Sequence, residues 1–120
     1  MKYLIKKQIK DRGIFAEFDL EATYTEDIGL QVEYLGDSIW EDACMVGAMV
    51  FYEYFKKRNK KGLNVKILSV KWMPVDTNTL IILYGIVDSL SKELKFEINN
   101  FSFSAENECF IFPECRALLI

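Results

Sequence analysis

The chain has 120 residues, a mass of 14.0 kDa, 51% hydrophobic and 28% charged residues, and a formal net charge of −3. These figures describe one globular domain over residues 1–120 and exclude the disordered and collagen-like classes. No apolar run reaches the roughly 18 residues of a membrane span, and a pI near 5.0 argues against a dedicated nucleic-acid binder.

The N-terminal stretch Met1-Lys2-Tyr3-Leu4-Ile5-Lys6-Lys7 lacks the long apolar segment of a secretory signal. Three cysteines cannot all pair within one chain, which points to a reducing setting. A cytoplasmic protein with reduced thiols is expected. Lys2 to Lys10 reads as an edge strand guarded by lysines, with Asp11-Arg12-Gly13 as its turn. Next, Ala16 to Tyr24 alternates apolar and mostly acidic residues, and Ile28 to Tyr34 alternates in the same sense. Successive strand side chains point to opposite faces, so Phe18, Leu20 and Tyr24, and then Leu30 and Val32, are expected to turn inward. The short polar link Thr25-Glu26-Asp27 predicts that the two runs pair as an antiparallel hairpin.

Ser38-Ile39-Trp40-Glu41 has the spacing of a capping box. Behind it, Trp40, Ala43, Cys44, Gly47, Ala48, Phe51, Tyr54 and Phe55 form one apolar helical stripe. The stripe is expected to pack on the inner strand residues, with Gly47 allowing close approach to the sheet. Gly62 is the expected stop of this helix. Leu63 to Trp72 is rich in β-branched residues and reads as a strand ended by Pro74. Caps at Asp76 to Thr79 precede a second helical pattern over 79–94, although Leu80 to Tyr84 alone also fits a buried strand. Phe101 to Ser104 and Cys109 to Phe112 predict a last strand or hairpin. The order βββαβαβ gives an α+β, two-layer sandwich: an antiparallel-rich sheet with both helices on one face, and room for an extra C-terminal strand.

Charge is segregated along the chain. Eleven acids face a single arginine between Asp11 and Tyr54, whereas Lys56, Lys57, Arg58, Lys60 and Lys61 cluster within six positions. An acidic strand face made of Glu17, Asp19, Glu21 and, across the hairpin, Glu33 is the first candidate binding site, suited to a basic partner. The basic run 56–61 is the alternative, as a grip for phosphates. Its simpler role is to complement the helix C-terminus. Histidine is absent, and no phosphate-binding glycine loop or nucleophile elbow is present. No catalytic residue, metal ligand or cofactor is therefore assigned. Cys44 falls on the apolar stripe and reads as a small buried hydrophobe.

Two resemblances extend this reading. Lys71-Trp72-Met73-Pro74-Val75 followed by Asp76-Thr77-Asn78 and a helix resembles the Val-Asp-Ser-Ser turn and helix of domain four of elongation factor G. The likeness spans residues 40–94 and implies the same α+β arrangement; the GTPase domain and glycine-rich segments of that family are missing. In profile, a small, acidic, aromatic-rich domain without catalytic motifs resembles the immunity proteins of bacterial toxin systems, including contact-dependent growth inhibition. That resemblance implies a non-enzymatic protein that binds and neutralises a cognate, basic toxin domain. No membrane partner is expected, and the acidic balance weighs against nucleic acid. A regulatory or ribosome-associated module using the basic run is the alternative, and a carboxylate-dependent enzyme the third reading.

Overall fold

The computed structural model describes residues 1–9, 12–104, 106 and 109–112. Strands β1 (Lys2–Ile9) and β2 (Arg12–Thr25) form an antiparallel hairpin, in register from Ile9 opposite Arg12 to Lys2 opposite Asp19. Arg12 and Gly13 thus belong to β2 rather than to the turn; Lys10 and Asp11 lie outside the described residues. Strand β3 (Leu30–Tyr34), a single 3-10 turn at Ser38–Trp40 and helix α1 (Glu41–Phe55) follow. After them come β4 (Gly62–Lys71), α2 (Thr79–Glu93), and the short strands β5 (Ser102–Ser104) and β6 (Cys109–Ile111). The fold is α+β, with a four-stranded sheet and a separate two-stranded sheet.

The strand order is β1-β2-β4-β3, and this corrects the expected hairpin. β2 pairs antiparallel with β4, and β3 pairs parallel with the other edge of β4. Alternation determines which face a strand presents, but it does not choose a neighbour. The choice is visible at Gly62, where a Cβ would overlap the Asp27 carbonyl and the Thr25 hydroxyl. The 25–29 loop crosses the start of β4 there, and the Leu63 amide donates to the Gly29 carbonyl at 2.9 Å. Gly62 therefore opens β4 beneath a crossing loop; α1 had already ended at Phe55, whose carbonyl accepts from the Arg58 and Asn59 amides.

Asp37, rather than Ser38, supplies the N-terminal cap. One Asp37 oxygen accepts from the Ile39 amide at 3.1 Å and the other from Trp72 Nε1 at 3.0 Å. The 3-10 turn shifts the start of α1 beyond the reach of the serine side chain, so α1 itself has no side-chain cap. Asp37 is held below the usual carboxylate range by those two hydrogen bonds, that of the Ile39 amide foremost. At α2, Asn78 caps the Ile81 amide at 2.9 Å, and the helix runs unbroken over Thr79–Glu93.

The buried face of α1 carries Trp40, Ala43, Cys44, Gly47, Ala48, Phe51 and Phe55, with Tyr54 half-buried. Gly47 meets α2 rather than the sheet: a Cβ there would sit 2.9 Å from Ile86 Cβ. It is Gly85 on α2 that faces the ring of Phe18, so α2 covers β1 and β2 while α1 lies over β3. Phe51 stacks with Phe55 and meets Phe96 edge-on. Cys44 is fully buried, and burial pushes its thiol up to about 12.

Candidate partner-binding surface

Glu17, Asp19 and Glu21 share the outer face of β2, opposite the buried Phe18 and Leu20. Cross-strand neighbours meet them there. Lys66 stands opposite Glu21 on one side and Glu33 on the other, so these two acids flank one lysine in a single row. Lys71 is the register partner of Glu17 and approaches it at 3.7 Å, and Lys2 is opposite Asp19. The N-terminal ammonium adds a further contact to Asp19 at 3.7 Å. The four sequence-predicted acids thus lie on one face, but as alternating charge. Exposed pairs of this kind contribute little stability, yet they offset the field a distant partner would feel.

The basic run emerges from the C-terminus of α1, and much of it is engaged with the chain itself. Lys56 pairs with Glu53 at 2.9 Å, and Lys61 lies 3.9 Å from Glu26 and over the Tyr24 ring. Arg58 stacks 4.0 Å above the Phe96 ring and donates to the Glu97 carbonyl. Among the described residues, only Lys57 and Lys60 of the run make no ion pair, side-chain hydrogen bond or ring contact.

A surface the sequence reading passed over is the outer face of α1. Asp42, Val46, Met49 and Glu53 occupy positions i, i+4, i+7 and i+11, which bring them onto one side of the helix. Val46 is 45% exposed and Met49 57%, and just upstream Leu35 and Ile39 are 55% and 60% exposed. Around this side Glu41 and Asp42 make no ion pair among the described residues, whereas Glu53 pairs with Lys56 and Asp37 accepts from the Ile39 amide and Trp72. The signal was present in the sequence. Ile39, Val46 and Met49 are apolar residues off the core stripe, and an exposed helical face normally carries polar residues there.

Among the described residues, no group of three or more His, Cys, Asp or Glu side chains is placed to hold a metal ion, and no helix is long and apolar enough to cross a membrane. Cys109 is exposed and free, while Cys115 lies outside the described residues.

No protein-family model matches this chain, and no curated protein matches it. Among solved structures, it is similar to the crystal structure of ttk003000868 from Thermus thermophilus, with a TM-score of 0.54 at 15% identity. The match covers 72% of this chain, which spans only 14% of the length of that one. The likeness is one of fold. That chain is elongation-factor-G-like, so it supports, at the level of the fold alone, the resemblance to a domain of that factor. The comparisons lend the immunity-protein resemblance no support.

Proposed function

We propose that this chain is a non-enzymatic protein-binding module of the immunity type, which neutralises a basic protein toxin by docking it on the outer face of α1. One observation carries the reading: the exposed apolar side chains Ile39, Val46 and Met49 lie beside Glu41 and Asp42, which make no ion pair among the described residues, whereas the acids of the sheet are interleaved with lysines. Apolar contact supplies affinity, and unopposed charge of one sign steers encounter and rejects acidic partners. At about 1.5 Å per residue, the 15 residues of α1 span about 22 Å. A stable interface covers about 800 Å² per partner, so the exposed Leu35 and Ile39 just upstream of α1 belong to the same surface. A toxin domain that acts on nucleic acid or another polyanion carries positive charge where its substrate binds, and an acidic cover blocks that site directly.

The test is protection of cells. A basic toxin domain captured by co-purification with this chain is expressed with the wild-type protein, with Val46→Asp/Met49→Asp, and with Lys57→Glu/Lys60→Glu; the absence of any such partner would itself overturn the reading. Wild type and the lysine variant are expected to restore growth, and the α1 variant to fail while retaining its melting temperature. Protection that survives the α1 change but disappears with the lysines would overturn the reading in favour of the basic run.

A further inference from the structure

We propose that the free edge of β1, on the opposite side of the sheet from β3, is a docking site for an extended acidic peptide segment that adds to the sheet as a further strand. The site does not rest on the toxin-binding reading.

β1 is an end strand, and among the described residues no strand pairs with its outer edge along Tyr3 to Lys7. A cleft of about 380 Å³ follows this edge along five consecutive residues, Tyr3 to Lys7. At about 3.4 Å per residue, that is about 17 Å of strand. The far wall comes from Tyr84 and Asp88 on α2 and from Phe101 to Phe103. β5 lies across the cleft, and among the described residues its strand partner is β6. The cleft therefore has an edge of main-chain groups on one side and aromatic rings on the other, the pairing used when a peptide joins a sheet edge.

Charge selects the occupant. The one carboxylate in the cleft, Asp88, is already engaged: it accepts from the Tyr3 hydroxyl at 2.6 Å and pairs with Lys92 at 3.1 Å. Lys6 and Lys7 stand along the strand, with Lys7 5.5 Å above the Phe103 ring, and Lys2 precedes them. Two copies joined through this edge would bring the same lysines together, which disfavours a homodimer. The pleat gives the peptide its pattern. Tyr3 and Ile5 point inward while Lys2, Leu4 and Lys6 point outward, so an added strand sets apolar side chains over Tyr84 and Phe101 and acidic ones beside Lys2 and Lys6.

The probe is an acetylated, amidated eight-residue peptide of alternating valine and glutamate, followed by fluorescence anisotropy and by amide hydrogen exchange of the intact chain. The expected result is saturable binding that slows exchange at alternate amides between Tyr3 and Lys7. Lys2→Glu/Lys6→Glu is expected to weaken binding at least about tenfold, as reversal of complementary charge does. A valine–lysine peptide, and a valine–glutamate peptide N-methylated at alternate residues, are expected not to bind. No binding up to millimolar peptide, binding indifferent to N-methylation, or protection located away from β1 would each overturn the proposal. Dimerisation of the free chain through the same amides would overturn it as well.

Discussion

Two tryptophans and a phenylalanine show how differently buried aromatics act in this chain. Phe51 is fully buried and packs against the rings of Phe55 and Phe96. Trp40 packs edge-on against Trp72 at 5.6 Å, and its indole nitrogen is buried with no acceptor among the described residues. Trp72 directs its own nitrogen to Asp37. Deleting Phe51 leaves a cavity, while trimming Trp40 to a smaller ring also removes an unsatisfied donor. Phe51→Ala is therefore expected to cost about 3–5 kcal/mol of unfolding free energy. Trp40→Phe should cost well under half as much. Urea denaturation checks both; a loss for Trp40→Phe equal to that for Phe51→Ala would show that the indole makes a bond essential to the core.

The elements were unevenly legible in the sequence. The stripe on α1 emerged almost residue for residue because a helix repeats its face every three to four positions, whatever lies opposite. The faces of β2 and β3 were legible for the same reason, with Phe18 and Leu20 buried and Glu17 and Asp19 turned outward, but Tyr24, expected inward with them, is 46% exposed where β2 runs past the core. Their partners were not. Strand pairing depends on long-range contacts, and the crossing at Gly62 that sends β3 to the far side of β4 leaves no local mark beyond one glycine. Gly47 illustrates the same limit: its small size was readable, but the helix it accommodates was not. Helix propensity alone favours Gly47→Ala by about 1 kcal/mol. A Cβ 2.9 Å from Ile86 Cβ and 3.2 Å from the Leu83 carbonyl oxygen reverses that sign. The variant is expected to melt lower than wild type, and a rise in melting temperature would show that the α1–α2 contact has slack.

Across the whole molecule, the acidic segment divides in two once folded. The part on β2 faces Lys2, Lys66 and Lys71, whose positions in sequence gave no hint that the sheet would interleave them. Glu41 and Asp42 at the start of α1 make no ion pair among the described residues and lie beside the exposed apolar residues of that helix. The candidate site was thus half legible: the sign of the surface was in the sequence, whereas its location required strand order. The opposite edge, β1, is lined by lysines, which gives the sheet edges opposite character.

The central claim is that the unopposed acids, rather than the interleaved ones, guide the partner, and association kinetics test it most directly. Stopped-flow association with the toxin domain is measured at low and high salt for wild type, Glu41→Lys/Asp42→Lys and Glu17→Lys/Glu21→Lys. The α1 pair is expected to slow association about tenfold at low salt, with the difference shrinking at high salt, because screening removes long-range attraction. The sheet pair is expected to stay close to wild type. A larger loss in the sheet pair, or a loss in the α1 pair that is the same at both salt concentrations, would contradict the account.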